Sequence, residues 1–371
     1  MKLRQPLLIV FVMAVVSATA DSTYVSRVEV DALGCAVIRA NSFLRGKNPR
    51  GESVKWASAL KLKYTRLLQG DSLNIPSYYG AGIAVYDYGH LFGRPFSAFV
   101  TQGAPLLRLS RSLSLCYDLQ LGISAGWKSF SDNTMNHVLG SPVNAYIGAD
   151  LFLSYRLSRT WDLNFGYGYL HFSNANLKMP NEGLNAMGLR LSAAYTPDRA
   201  ENPSRASCLA SQPFTGERRW YTDILVYGGM KRKSLFLDGL FGVVGFSVSR
   251  MWRLNRAFAI GPSLDGVYDR SMNLLTSPSA ETLGKQTYRY PAATKQMALG
   301  VQARIELTMP GLQASAGAGR HVLGGFTRFY ETLAFKACLT KNVFLHVGYT
   351  LYNYHYANNI MLGLGYRLGA N

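Results

Sequence analysis

Apolar and polar positions alternate with period two along most of this chain, the pattern of half-buried strands. From Trp161 to Ser173 the odd positions read Trp161, Leu163, Phe165, Tyr167, Tyr169, His171 and Ser173. The even positions begin Asp162, Asn164, Gly166 and Gly168 and turn apolar only at Leu170 and Phe172. From Asn185 to Tyr195 one face carries Asn185, Met187, Leu189, Leu191, Ala193 and Tyr195, and the other carries Gly188, Arg190 and Ser192. About sixteen such runs are predicted, near 24–38, 55–68, 78–88, 95–108, 112–126, 143–156, 161–173, 185–196, 219–231, 240–252, 256–268, 293–308, 311–320, 327–339, 343–355 and 359–368. The expected fold class is all-β.

The connections sort into two kinds. Leu109-Ser110-Arg111, Leu157-Ser158-Arg159, Leu254-Asn255-Arg256, Pro310-Gly311 and Thr340-Lys341-Asn342 are short, whereas 39–54, 127–142, 174–184 and 269–292 are long. Short turns alternating with long loops predict an outer-membrane antiparallel β-barrel, closed because a free sheet edge in lipid leaves backbone groups unpaired. The segments 69–77 and 197–218 break the short side of this pattern, and Pro197, Pro203 and Pro213 make the second a seam. The expected division is a leader over 1–20, a first half over 21–196, a linker over 197–218 and a second strand-rich half over 219–371. Leu157-Ser158-Arg159-Thr160-Trp161 with His171-Phe172-Ser173-Asn174 is echoed by Leu339-Thr340-Lys341-Asn342-Val343 with His355-Tyr356-Ala357-Asn358. The echo reads as duplication of an eight-strand unit whose second copy has lost the hydroxyl. A single barrel of about sixteen strands is nevertheless favoured over two eight-strand units, because tandem barrels in one chain are unusual.

Composition agrees with export to a membrane. Met1-Lys2-Leu3-Arg4, an apolar run from Leu7 to Val16 and Ala18-Thr19-Ala20 predict a signal peptide cleaved before Asp21. Tyr (23), Phe (18) and Gly (36) are abundant and only 16% of residues are charged, as suits strands with lipid outside and polar groups inside. The formal charge is +18, and removing Lys2 and Arg4 with the leader lowers it by two, to +16. For an exported chain this excess points to anionic head groups or lipopolysaccharide phosphates, not nucleic acid, or to solvated turns. Cys35, Cys116, Cys208 and Cys338 show no metal spacing and read as packing residues.

Chemistry concentrates where the two strands quoted first meet. Parity places His171, Ser173 and Asn185 together at the end of an apolar face. A serine hydroxyl needs a neighbouring base, and residues two apart on a strand lie about 6.6 Å apart on one face. Asn185 can hold the other imidazole nitrogen, and Asn174 can donate its amide or backbone N–H to an oxyanion. An ordinary polar cluster at the membrane interface is the simpler account of the His and Ser alone.

The whole stretch says more. His171-Phe172-Ser173-Asn174, followed by Pro180-Asn181-Glu182-Gly183-Leu184-Asn185, resembles the lipid A 3-O-deacylase (PagL-type) family, as do Ser26-Arg27-Val28-Glu29-Val30-Asp31 and the tract Ser141 to Tyr195. The resemblance covers about 24–196, and the second half is similar to that of the longer members. It implies hydrolysis of the 3-position acyl ester of lipid A, with Ser173 as nucleophile, His171 as base, Asn174 as oxyanion donor and neither metal nor cofactor. Lipid A or lipopolysaccharide is the implied partner in the outer membrane, and a homodimer is compatible with it. The family's acidic third member falls at Asn185. A neutral amide can orient a histidine but stabilises imidazolium less than a carboxylate. Glu182, the nearest carboxylate, is the alternative. The rival function is a non-catalytic barrel, either a pore or a degenerate relative.

Other residues read as bland. Gly70-Asp71-Ser72-Leu73 spells another esterase motif but falls in a turn. Arg45, Lys47 and Arg50 suit a solvated loop or lipid A phosphates. Arg27, Glu29 and Asp31 alternate toward the lumen as a polar network, and His346 is expected to be structural.

Overall fold

The computed structural model describes residues 23–69, 77–199, 208, 219–234, 237, 239–255, 257–278, 286–309, 312–353 and 356–369. The expected leader, most of the 197–218 linker, the Gly70–Leu73 turn and His355 lie outside the described residues.

The first eight strands are β1 (Thr23–Val37), β2 (Trp56–Gln69), β3 (Tyr78–Asp87), β4 (Gly93–Arg108), β5 (Leu113–Trp127), β6 (Val143–Arg156), β7 (Trp161–Ser173) and β8 (Leu184–Tyr195). Each pairs antiparallel with the next, and β8 returns to β1 over Val28↔Tyr195 to Val37↔Ala186, closing a barrel. The second set is β9 (Trp220–Lys231), β10 (Phe241–Arg253), β11 (Phe258–Asp269), β14 (Met297–Met309), β15 (Leu312–Gly324), β16 (Phe329–Cys338), β17 (Val343–Tyr352) and β18 (Tyr356–Leu368). It closes separately, with β18 on β9 from Leu362↔Gly228 to Leu368↔Thr222. A hairpin of β12 (Leu275–Pro278) and β13 (Gln286–Arg289) sits in the long connection after β11. The preference for one large barrel is therefore overturned, because each set of eight strands satisfies its own edges. Eight strands enclose an interior that side chains alone can fill.

The turns show why the strands end where they do. Ser110 Oγ accepts the N–H groups of Ser112 (3.2 Å) and Leu113 (3.0 Å), and Ser158 Oγ those of Thr160 (3.2 Å) and Trp161 (3.1 Å). Asn255 Oδ1 does the same for Ala257 (2.8 Å) and Phe258 (2.7 Å), and Thr340 Oγ1 for Asn342 (3.2 Å) and Val343 (3.0 Å). A short polar side chain at the first turn position thus replaces backbone partners that the reversing ladder cannot supply.

Alternation divides inside from outside. Leu60, Leu62, Ile83, Leu151, Phe165, Tyr167, Leu189 and Leu191 are exposed on the first barrel, and Val244, Phe246, Leu264, Val301 and Ile305 on the second. The first interior has two parts. Near the short turns, Arg27, Lys61, Lys63 and Arg190 meet Glu29, Asp31, Asp118 and Asp150. Lys63 Nζ lies 2.8 Å from Asp31 and 3.0 Å from Asp118, and Arg190 contacts Glu29, Asp31 (2.5 Å) and Asp150 (3.4 Å). The predicted lumenal network of Arg27, Glu29 and Asp31 belongs to this set, which pairs four bases with four acids. Near the long loops the interior becomes apolar, with Phe43, Leu44, Tyr86, Tyr88, Phe92, Trp127, Val138, Leu139, Tyr146 and Phe172 in one cluster. Tyr146 Oη donates to Gln120 Oε1 (2.5 Å) where the two parts meet. Gly168 leaves room there for the ends of two side chains, since a Cβ would stand 2.6 Å from Leu33 Cδ2 and 2.7 Å from Asp150 Oδ1 and make them shift.

The second barrel repeats the scheme. Lys336 and Arg367 bind Asp223 and Glu306, Lys231 binds Asp269 (2.6 Å), and Arg304 lies 3.9 Å from Asp265. Among the described residues, four bases meet four acids in each network. His346 is buried, and neither ring nitrogen is hydrogen-bonded among the described residues. The four cysteines are free thiols.

Candidate active site

The candidate site sits where β7 enters the loop to β8. His171 stands directly opposite Asn185 in the β7–β8 ladder, and its Nδ1 lies 2.6 Å from Asn185 Oδ1. Both side chains are half-buried on the outward-facing side of the barrel wall. Tyr169, two residues earlier with the same parity, donates its hydroxyl to the same Asn185 Oδ1 at 2.7 Å. The backbone carbonyl of Asn185 accepts the N–H of Ile38 at 2.9 Å, which ties the start of β8 to the first long loop.

Strand alternation fixes the other side of β7. Between His171 and Ser173, Phe172 turns inward and is fully buried. Its ring centroid lies 4.7 Å from Trp127, 5.0 Å from Tyr86 and 5.4 Å from Tyr146, edge contacts and stacks that hold the backbone of the site against the core. Ser173 is the last residue of β7, paired across to Ala145 on β6, and is buried.

After Asn174 the chain turns sharply, with Ala175 (φ 54°) and Asn176 (φ 61°) both in the left-handed region. The N–H of Asn174 donates to Asn181 Oδ1 at 3.0 Å. The returning strand is fixed by the N–H of Gly183 on the carbonyl of Val138 (3.1 Å) and that of Glu182 on His137 (3.4 Å). Gly183 has φ +76°, and a Cβ added there would stand 3.4 Å from His171 Cε1 and 3.8 Å from Ser173 Cβ. The open side of Gly183 is therefore turned toward His171 and Ser173.

The hairpin thus brings Asn185, and not Glu182, to His171. Glu182 is exposed, and its carboxylate forms no ion pair or hydrogen bond with the described residues. Asn174 is buried at the turn, and its backbone N–H is directed to Asn181 Oδ1. Arg45, one candidate for phosphate contact, instead donates to the carbonyls of Asn41 (3.1 Å) and Ala40 (2.9 Å) within its own loop. Tyr169 and Asn181 are not singled out by the sequence reading. Tyr169 shares the parity of His171, but a tyrosine on a lipid-facing strand is also ordinary. Among the described residues no group of His, Cys, Asp and Glu could hold a metal ion.

Residues 57–194 match the family model of the lipid A 3-O-deacylase (PagL), and residues 220–370 match that of the acyloxyacyl hydrolase C-terminal domain. No curated protein sequence matches the chain. Among solved structures, the outer membrane enzyme PagL is 18% identical over 44% of this chain and 97% of its own, with a TM-score of 0.31. Neisserial surface protein A is 13% identical over 46% and 96%, with a TM-score of 0.31. The siderophore receptor PirA from Pseudomonas aeruginosa is 9% identical over 94% and 82%, with a TM-score of 0.23. With one family model matching within the first barrel and the other over nearly all of the second, the chain belongs to the lipid A 3-O-deacylase (PagL) family, in a longer, two-barrel form.

Proposed function

We propose that this chain is an outer-membrane esterase that removes the 3-position acyl chain of lipid A, using Ser173 as nucleophile and His171 as general base. The observation that carries the reading is the 2.6 Å contact of His171 Nδ1 with Asn185 Oδ1 on the lipid-facing side, two residues from a serine. The family membership supplies the substrate class.

In this mechanism Asn185 accepts the Nδ1–H of His171, leaving Nε2 unprotonated and able to take the Ser173 proton. Ser173 Oγ forms a bond to the ester carbonyl carbon, and the oxygen that becomes negative is met by Asn174 as oxyanion donor. The intermediate collapses by breaking the bond from carbon to the sugar oxygen, which leaves with the proton from His171. Water, deprotonated by His171, then attacks the acyl-serine and releases the fatty acid. A neutral Asn185 stabilises the transient imidazolium less than a carboxylate would, so turnover is slower than with an acidic third member.

We assign the chemistry to the first barrel, since Ala357 stands in the second where the first has Ser173. Residues 1–20 serve as the cleaved export signal in this reading. The rival pore reading is disfavoured by interiors filled with paired side chains such as Lys61, Lys63 and Lys336. Mass spectrometry of lipid A from cells expressing wild type or Ser173→Ala tests the proposal. Loss of one hydroxyacyl chain in wild type, absent in Ser173→Ala, is expected. Unchanged lipid A in both, with folded protein in the outer membrane, overturns it.

A further inference from the structure

We infer that Tyr169 is a positioning residue that selects the orientation of the Asn185 amide and, through it, the tautomer of His171. The inference rests on the reading of His171 and Ser173 given above.

An amide, unlike a carboxylate, has two different ends. Asn185 can present Oδ1 to the imidazole, as it does here at 2.6 Å, or after a half-turn present Nδ2. With Oδ1 inward, Nδ1 carries the proton and Nε2 is free to accept the one from Ser173. With Nδ2 inward, Nδ1 must accept, Nε2 carries the proton, and the imidazole cannot act as base. A family member with a carboxylate at this position has no wrong end and needs no selector.

Tyr169 supplies the discrimination. Its hydroxyl lies 2.7 Å from Asn185 Oδ1, so that one oxygen accepts from both the phenol and the imidazole through its two lone pairs. A phenol is a better donor than acceptor, because its oxygen lone pair is delocalised into the ring. The flipped amide would pair an N–H with that poor acceptor. Ladder geometry keeps the three groups together, since Tyr169 and His171 share one face of β7 and Asn185 is the direct partner of His171 on β8.

A double-mutant cycle separates this role from packing. Tyr169→Phe keeps the ring and removes only the hydroxyl. It is expected to lower kcat of purified protein on lipid A about tenfold, with KM unchanged, the scale of losing one neutral hydrogen bond. On the Asn185→Glu background, which has no end to choose, and on the Asn185→Ala background, which has no amide, the same change is expected to cost less than about twofold. An equal cost on all three backgrounds assigns Tyr169 a merely structural role and overturns the inference. So does full kcat in Tyr169→Phe alone, provided wild type deacylates lipid A and Ser173→Ala does not. If wild type releases no fatty acid, it is the esterase reading that fails.

Discussion

The ring of Phe172 packs 4.7 Å from that of Trp127 inside the first barrel, while its two neighbours in sequence, His171 and Ser173, belong to the opposite side of β7. Core packing and site geometry are thus coupled through one strand. Replacing Phe172 with Ala is expected to cost about 3–5 kcal/mol from the cavity it leaves. Thermal unfolding in detergent checks this. Deacylation by the protein that remains folded is expected to fall as well, because the backbone between the two site residues loses its anchor. Wild-type melting and activity in this variant would show that the aromatic cluster does not support the hairpin.

Asn185 and Glu182 make opposite predictions. Glu182 is exposed, so Glu182→Gln is expected to change activity by no more than about twofold, as for an ordinary surface substitution. Asn185→Ala removes the partner of His171 Nδ1 and is expected to lower kcat by about 10–100-fold. Steady-state rates on purified lipid A decide between them. The reverse order would make Glu182 the third member.

The buried ions of the first barrel tolerate no single deletion. Lys63→Met leaves Asp31 and Asp118 without the ammonium that lies 2.8 Å and 3.0 Å from them. A cost of about 3–5 kcal/mol is expected, since an uncompensated charge stays in a dry interior. Arg111→Met in an exposed turn is the control, within about 0.5 kcal/mol of wild type. Denaturant titrations in detergent compare the two.

Filled interiors also bear on transport. Lys61, Lys63 and Arg190 in one barrel and Lys336 in the other are almost wholly excluded from solvent, and each is held by carboxylates. Purified protein in a planar lipid bilayer is therefore expected to give no sustained conductance steps. Steady single-channel currents would favour the pore reading.

Local pattern determined much of this. The sixteen barrel strands fall close to the runs where apolar positions alternate, because facing lipid on one side and a packed lumen on the other imposes period two residue by residue. The shared outward parity of His171 and Asn185 was legible for the same reason, since parity is a property of each strand alone. Arg27, Glu29 and Asp31 likewise announced an inward polar face, although which bases meet them, Lys63 on β2 and Arg190 on β8, was not legible. The hairpin β12–β13 went unseen, as four-residue strands carry too little periodicity to detect.

The tertiary structure alone decided which edges meet. One ring of sixteen strands and two rings of eight satisfy the same alternation, and only the pairing of β1 with β8 and of β9 with β18 separates them. It also decided the environment of the site. Tyr169 reaching Asn185, Asn181 capping the turn at Asn174 and the loop carbonyl of Val138 holding Gly183 depend on where a loop folds back, which no strand period encodes. A sequence specifies the direction of each side chain from its own strand. Which atom waits there is settled only when the sheet has closed.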